Sequence, residues 1–291
     1  MRASINALTA ALIAGVILGL ALTPDGRGWL RNPTLMLGSA NASASPPAAT
    51  AAVTAPVSSV ETVPAAPRIT PLAQRLAEGE LVVGVIGDSM ADGLWTGVYR
   101  ELRAVDGVRV VRMAEVSTGL SRYDYVNIQE KTARQLREQP IDAAVVMFGT
   151  NDAQAIEQDG VIHAFGSDGW REIYARRVDD LVGLLRAHDV AVYWVGLPRM
   201  QRAVFDERMT LINTLVAARM AALDVPYIDT VALTANDRGA YDAYLTAADG
   251  RRRLMRAHDG IHMSTAGYMR LTEPVLERLR ADAGLSGERA G

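Results

Sequence analysis

Residues 143–152 read Ala-Ala-Val-Val-Met-Phe-Gly-Thr-Asn-Asp, six apolar side chains in a row followed by small and polar ones. Side chains of a strand alternate between two faces, so consecutive apolar residues predict a strand that is covered on both faces. Strands of this kind are typical of parallel sheets with helices packed on each side. The stretch therefore predicts an α/β fold, with polar residues at the carboxyl end of a buried strand.

Four other short apolar runs extend the same sheet. They are Leu81–Ile86, Val108–Val111, Val190–Val195 and Pro226–Ile228. Three stretches between the runs repeat apolar residues every three or four positions, which predicts helices that each bury one face. These stripes are Leu94/Val98/Leu102, Trp170/Ile173/Arg177/Leu181/Leu185 and Phe205/Met209/Ile212/Val216/Met220. We expect a three-layer, doubly wound, five-stranded parallel sheet, closed by a helix from about Ser264 that is bent or broken at Pro274. Asp249-Gly250, at the centre of residues 241–256, predicts a hairpin there.

The composition excludes several classes of function. The chain has 291 residues, 49% of them apolar, which is enough for one globular domain with appendages. A net charge of −3 gives no broad attraction to phosphate backbones, so we expect no nucleic-acid partner. There is no cysteine, and the four histidines lack a metal-ligand spacing. We therefore expect neither a metal site nor a cofactor.

The N-terminal 30 residues predict export of the rest of the chain. Residues 7–22 are apolar apart from Thr9, a length close to the lower limit for crossing a bilayer and to a signal-peptide core. The nearest cleavage-like sequence, Ala40-Asn41-Ala42, lies well downstream. We favour an uncleaved signal anchor over a cleaved signal peptide, and both place the remaining domain outside the cytoplasm, in the periplasmic or extracytoplasmic space.

Residues 31–75 are predicted to be a disordered linker. They are rich in Ala, Ser and Pro and show neither a helical nor a strand period over most of their length. Such a linker would let the domain at residues 76–285 stand clear of the membrane.

Three short motifs lie where an α/β sheet binds ligands, beyond the carboxyl ends of its strands. Gly87-Asp88-Ser89-Met90 places a hydroxyl at a helix N-terminus, where unpaired N–H groups favour negative charge. Gly149-Thr150-Asn151-Asp152 offers an amide donor for an oxyanion. In Asp259-Gly260-Ile261-His262 the carboxylate can reach the histidine Nδ1–H while Nε2 faces a serine. Each motif by itself is also typical of a helix cap or a turn.

Taken together and in this order, the motifs resemble the SGNH or GDSL hydrolase superfamily over about residues 80–285. The resemblance implies a flavodoxin-like fold and a serine hydrolase. It assigns Ser89 as the nucleophile, with Asp259 and His262 as its acid and base. It also implies an oxyanion hole made by Ser89, Gly119 and Asn151, with Gly119 identified mainly by its position after the second strand. Met90 departs from the leucine of the GDSL motif but keeps a similar apolar volume.

The resemblance and the expected export imply a serine esterase that acts on O-acetyl esters of cell-envelope or extracellular glycans. Candidate contacts for the substrate are Trp95, Tyr123, Trp170 and Arg199, although core packing or solvent exposure would also explain each of them. An O-acyltransferase acting on a polysaccharide would use the same triad. A non-catalytic glycan-binding protein on a hydrolase scaffold is a third alternative. The expected partners are thus an acylated substrate and, through the anchor, the membrane.

Overall fold

The structure is a computed structural model, and it describes residues 69–247 and 249–285. The predicted anchor at residues 1–30 lies outside the described residues, as does most of the predicted linker. Within the described ranges, no helix combines the length and the apolar character that a bilayer crossing requires.

A five-stranded parallel sheet forms the centre of the domain. Its strands are β1 Leu81–Gly87, β2 Val108–Arg112, β3 Ala143–Met147, β6 Ala191–Val195 and β7 Tyr227–Ile228. Their spatial order is β2-β1-β3-β6-β7. Every residue of β1 and β3 is buried, as the unbroken apolar runs predicted. The sheet order is that of a flavodoxin-like fold. Because the strands are parallel, their carboxyl ends all lie at the same end of the sheet.

Six helices flank this sheet in two groups. They are α1 Leu72–Glu78, α2 Ser89–Leu102, α3 Ile128–Glu138, α4 Asp168–Ala187, α5 Ala203–Ala222 and α6 Thr265–Ala283. Helix α6 contacts both α1 and α2, and α4 contacts both α3 and α5. The three predicted apolar stripes lie on α2, α4 and α5 and pack into the core. The predicted five-stranded α/β architecture is confirmed.

Close packing of α2 against α6 depends on two glycines of α2. A Cβ on Gly93 would lie 1.9 Å from the Tyr268 ring, and one on Gly97 would lie 2.1 Å from Thr272 Oγ1. These distances are far shorter than a van der Waals contact, so the two helices approach where side chains are missing. The first residue of α2 is Ser89, so this packing fixes the helix that carries the serine.

The structure differs from the sequence prediction in several elements. Helices α1 and α3 were not predicted, and α6 runs without a break through Pro274. The loop at residues 153–169 contains a hairpin of β4 Ile156–Gln158 and β5 Val161–His163. A second hairpin, β8 Tyr244–Thr246 with β9 Arg252–Leu254, does match the turn signal at Asp249-Gly250. A short 3-10 helix, Ala232–Thr234, lies between β7 and that hairpin.

Helix α1 is attached to the domain just before the predicted domain start at residue 76. The Thr70 N–H and hydroxyl donate to the Asp189 carboxylate at 2.7 and 2.6 Å. Arg75 pairs with Asp189 and, at 3.5 Å, with Asp142. Leu72 is buried in the core. The last residues of the predicted linker, from Thr70 onward, therefore contact the folded domain.

The single lysine of the sequence, Lys131, is buried on α3. Its Nζ donates to the Met113 carbonyl at 3.2 Å and pairs with Glu115 at 3.1 Å. Burial lowers the pKa of this amine, while Glu115 acts in the opposite direction. The contacts hold α3 to the segment that follows β2.

Candidate active site

Ser89 lies at the edge of the sheet where the strands end, as the first residue of α2 after β1. The chain can turn there because residue 87 is glycine: its φ is +152°, and a Cβ would lie 1.9 Å from the Met147 carbonyl oxygen of β3. Asp88 caps the helix by accepting from the Met90 N–H at 2.8 Å. As the first helical residue, Ser89 has an N–H without a partner inside the helix, and the helix dipole favours negative charge beside it.

The structure joins Ser89, His262 and Asp259 in one hydrogen-bonded chain. His262 Nε2 lies 2.8 Å from Ser89 Oγ, and Nδ1 lies 2.6 Å from Asp259 Oδ2. The side chains of His262 and Asp259 are 37% and 38% exposed, so solvent and a substrate can reach them. In this geometry the imidazole can accept the serine proton at Nε2 while its Nδ1–H donates to the carboxylate.

The turn that carries Asp259 and His262 is held by hydrogen bonds to the aspartate itself. Asp259 Oδ1 accepts from the N–H groups of Ile261 at 2.9 Å and of His262 at 3.0 Å. Desolvation acts to raise the pKa of Asp259, but the hydrogen bonds from His262 and the two N–H groups outweigh it and hold the pKa at about 2. Asp259 is therefore ionised at neutral pH and can stabilise an imidazolium.

Asp88 ties the end of β1 to the end of β3. Its Oδ2 accepts from the Gly149 and Thr150 N–H groups at 3.2 and 3.1 Å and from the Thr150 hydroxyl at 2.8 Å. The side chain is completely buried, and this burial raises the pKa of Asp88 to about 6 in spite of the hydrogen bonds. Asp88 thus fixes the position of Ser89 relative to the segment that leads into Asn151.

Asp152 performs the same task for the segment that carries Gly119. Its carboxylate accepts from the Leu120 and Ser121 N–H groups at 3.2 and 2.8 Å, from the Ser121 hydroxyl at 2.8 Å and from the Tyr174 hydroxyl at 2.8 Å. Burial raises the pKa of Asp152. A Cβ on Gly119 would lie 2.2 Å from Asp152 Oδ1, so the segment approaches the carboxylate closely because residue 119 is glycine.

Asn151 lies between these two buried carboxylates in the sequence and is only partly buried. Its Nδ2 donates one hydrogen to the Thr118 carbonyl at 2.9 Å. The Thr118 hydroxyl in turn donates to the Glu115 carbonyl at 2.7 Å. The second hydrogen of the Asn151 amide remains able to donate to a ligand. Through Asp88 and Asp152, the structure links all three predicted oxyanion-hole residues into one hydrogen-bonded framework.

One predicted substrate contact is wrong. Trp170 is completely buried, stacks on Tyr174 with ring centroids 4.6 Å apart and donates from Nε1 to the Gln154 carbonyl. It belongs to the core because the apolar stripe of α4 faces the sheet.

The other three candidates are held by their own neighbours. Trp95 is partly buried and stacks on Tyr99, and the Tyr123 ring lies under the Arg177 guanidinium at 4.1 Å. Arg199 forms an ion pair with Asp206 at 2.7 Å. None of these contacts excludes a role in substrate binding, and their assignment stays a prediction.

Sequence reasoning gave no role to two buried residues of the site, Asp88 and Asp152. The two aspartates are typical of caps and turns after a strand, so the pattern pointed to a local partner. Their partners come from distant segments, 61 residues along the chain for Asp88 to Gly149 and 32 for Asp152 to Leu120. Only the three-dimensional arrangement reveals these contacts.

Comparison with known proteins agrees with the fold. A family model described as "Protein of unknown function (DUF459)" matches residues 82–278. No curated protein matches the chain. Among solved structures, a mutant of Axe2, an acetyl-xylooligosaccharide esterase from Geobacillus Stearmophilus, matches with 21% identity and a TM-score of 0.50, covering 69% of this chain and 94% of that one.

Two further matches have slightly lower TM-scores. Est24, a carbohydrate acetylesterase from Sinorhizobium meliloti, has 16% identity and a TM-score of 0.49, covering 69% of this chain and 99% of that one. A GDSL-like lipase from Bacteroides thetaiotaomicron has 13% identity and a TM-score of 0.47, covering 70% and 90%. The likeness to Axe2, together with the sheet order, confirms the predicted five-stranded, flavodoxin-like α/β fold.

Proposed function

This chain belongs to the DUF459 family, and on that premise we propose that it is a serine esterase in which Ser89 is the nucleophile, His262 the general base and Asp259 the acid that orients it. The observation that carries the proposal is the chain of hydrogen bonds from Ser89 Oγ through the His262 ring to Asp259, at 2.8 and 2.6 Å. Nucleophile, base and orienting carboxylate within hydrogen-bond reach are the arrangement that acyl transfer requires.

In the proposed mechanism, His262 Nε2 takes the hydroxyl proton as Ser89 Oγ attacks the carbonyl carbon of the ester. The N–H groups of Ser89 and Gly119 and the free amide hydrogen of Asn151 stabilise the resulting oxyanion. The imidazolium, stabilised by Asp259, then gives its proton to the leaving alcohol. Water attacks the acyl-enzyme with His262 again as the base. The bond between the acyl carbon and Ser89 Oγ then breaks, His262 returns the proton to Ser89 Oγ, and the carboxylic acid is released.

The proposed substrate is an O-acetyl ester on a glycan. Two arguments support it: the predicted export of the domain, which gives access to cell-envelope glycans, and the fold shared with Axe2, which is described as an acetyl-xylooligosaccharide esterase. The open site suits a bulky alcohol, because the His262 and Asp259 side chains are more than a third exposed.

Replacement of Ser89 by alanine tests the catalytic proposal. We expect Ser89→Ala to lose turnover of a short-chain aryl ester and of acetylated xylooligosaccharides, with unchanged circular dichroism. The matched control is Ser264→Ala, a serine that caps α6 instead of contacting His262. The proposal is wrong if Ser89→Ala keeps wild-type turnover, or if the wild-type protein hydrolyses no member of an ester panel.

We also propose that the domain is membrane-anchored and lies outside the cytoplasm, because residues 7–22 are apolar and are followed by a Pro-rich linker. Fractionation of cells that express the full chain tests this. We expect the protein in the membrane fraction, and cleavable by protease added to spheroplasts; protection from that protease would contradict the proposal.

A further inference from the structure

Arg256 is a buried cation in the segment that leads into the Asp259–His262 turn. The residue is 1% exposed. Its side-chain hydrogen bonds within the described residues go to carbonyl oxygens and sulfur atoms, not to a carboxylate. Its Nε is buried and has no partner among those residues. A guanidinium in this setting has lost water without forming a direct ion pair among the described residues, which is costly for folding.

The guanidinium donates to the backbone of the turn itself. Nη2 lies 2.8 Å from the Ile261 carbonyl oxygen and 3.4 Å from that of Gly260, and Nη1 lies 2.9 Å from Met263 Sδ. Gly260 O also accepts from the Gln201 N–H at 3.1 Å. Arg256 therefore donates to the carbonyls of Gly260 and Ile261, the two residues between Asp259 and His262.

The backbone of Arg256 closes the same turn at its base. Arg256 and Met263 form an antiparallel bridge, and the Ala257 N–H donates to the His262 carbonyl at 2.9 Å. Residues 257–262 therefore form a closed loop, and the Arg256 side chain packs inside its base. Any shift of this side chain would move the peptide groups that define the direction of the His262 ring.

An apolar residue would fill this position at a lower cost to the fold. The nearest side-chain atoms include the sulfurs of Met200 and Met263, and the Tyr241 ring lies 5.2 Å from the guanidinium carbon. Replacing a buried charge by a well-packed apolar side chain is often neutral or stabilising. Stability therefore does not account for an arginine here, whereas its hydrogen bonds to the turn do.

We propose that Arg256 is a positioning residue, which fixes the 259–262 turn so that His262 reaches Ser89 Oγ while Asp259 reaches His262 Nδ1. This inference rests on the proposed function, because the geometry that Arg256 fixes is the proposed triad. Arg256 contacts the backbone of the turn and not the reacting atoms.

Arg256→Met tests the proposal, with Arg251→Met as the matched control. Methionine has an unbranched apolar chain that can pack beside Met200 and Met263, and Arg251 is exposed on the nearby hairpin. We expect Arg256→Met to lower kcat for an aryl ester by about 10- to 100-fold with little change in KM, because a small misplacement of a catalytic group costs that much. Its melting temperature should not fall, and Arg251→Met should keep wild-type kcat.

Active-site titration with a fluorophosphonate separates positioning from folding. If Arg256 positions the turn, every Arg256→Met molecule still reacts at Ser89, but at a lower rate. If fewer variant molecules react with the fluorophosphonate but each of them turns over at the wild-type kcat, the proposal is wrong. Should Arg256→Met fail to fold, Arg256→Lys decides: one nitrogen cannot reproduce the contacts, so a partial loss of kcat supports the proposal and a wild-type kcat overturns it.

A spectroscopic readout distinguishes failure of this inference from failure of the proposed function. The proton between His262 Nδ1 and Asp259 gives a downfield proton NMR resonance whether or not the protein hydrolyses esters. We expect that resonance in wild type and its loss or broadening in Arg256→Met. An unchanged resonance in the variant overturns the positioning role even if Ser89 proves to be the nucleophile.

Discussion

At the scale of single residues, Asp152 supports the segment that carries Gly119 by accepting hydrogen bonds from four donors. Asp152→Asn would turn an amide NH2 toward some of these donors and leave them unsatisfied. We expect a loss of about 1–3 kcal/mol in the free energy of unfolding, and a fall in kcat of about 10- to 100-fold. Urea denaturation and steady-state kinetics measure the two effects.

Tyr174→Phe is the control for this prediction. It removes one of the four donors but does not turn a new N–H group toward the remaining three. It should cost about 1 kcal/mol of stability and leave kcat close to that of wild type. Equal losses of kcat in the two variants would show that the carboxylate does not position Gly119.

Asp88 gives the protein a pH dependence of stability whose direction follows from its burial. Burial raises its pKa from 3.8 to about 6, so the folded protein holds this proton more tightly than the unfolded chain does. The stabilisation from this group is therefore fully present below pH 4 and is lost as the pH rises through about 6.

Asp88→Asn lacks this titration. Relative to the variant, wild type should lose about 3 kcal/mol in the free energy of unfolding between pH 4 and pH 7. Urea denaturation of both proteins at several pH values in this range measures the difference. Parallel profiles would contradict the assignment of the raised pKa to Asp88.

Local sequence motifs located three side chains that the structure brings within hydrogen-bond reach of one another. The apolar pattern located the strands that Ser89 and Asn151 follow and the helix that Asp259 and His262 precede. The structure brings Ser89, Asp259 and His262 together. Arg256 could not be found in this way. A buried arginine is recognised by its surroundings, and its contacts Met200 and Met263 belong to segments that the sequence pattern does not relate to one another.

At the scale of elements, the close contact between α2 and α6 predicts that an alanine at position 97 destabilises the protein. Gly97→Ala places a methyl group 2.1 Å from Thr272 Oγ1, so the Thr272 side chain or the two helices must shift. We expect a loss of about 1–3 kcal/mol in the free energy of unfolding from overpacking, which exceeds the gain in helix propensity. Thermal or urea unfolding of the purified variant measures this loss.

Gly183→Ala is the matched control on α4. Nothing lies within 4 Å of its added Cβ, and the residue is exposed. This variant should gain up to about 1 kcal/mol, since alanine favours helix over glycine. A similar loss of stability in both variants would contradict the packing explanation.

The hairpin of β4 and β5 shows why some elements escaped prediction. Its strands have three residues each, too few for an alternating pattern to stand out. The signal was present in the turn: Asp159-Gly160 has φ angles of +54° and +76°, as the Asp-Gly turns of tight hairpins do. The equivalent Asp249-Gly250 signal was used, and it predicted the second hairpin correctly.

At the scale of the whole molecule, the contacts of α1 predict where the stable domain begins. A fragment starting at residue 63 keeps Thr70, Leu72 and Arg75, whereas one starting at residue 76 loses their contacts with Asp189, Asp142 and the core. Burial of Leu72 alone is worth about 1.5–3 kcal/mol. We expect the shorter fragment to melt about 3–12 °C lower.

Calorimetry of the two fragments measures this difference, and an ester assay provides the control. Both fragments should keep the same kcat, because residues 69–75 contact none of the proposed catalytic residues. Equal melting temperatures would place the start of the domain after α1.

The burial of Lys131 has a practical consequence for labelling and immobilisation. Because the sequence has one lysine and its amine is engaged with Met113 and Glu115, the described surface offers no side-chain amine to succinimidyl dyes, glutaraldehyde or amine-coupled sensor chips. Reagents of this kind should leave the described surface unmodified, so attachment through that surface will need an introduced cysteine or lysine.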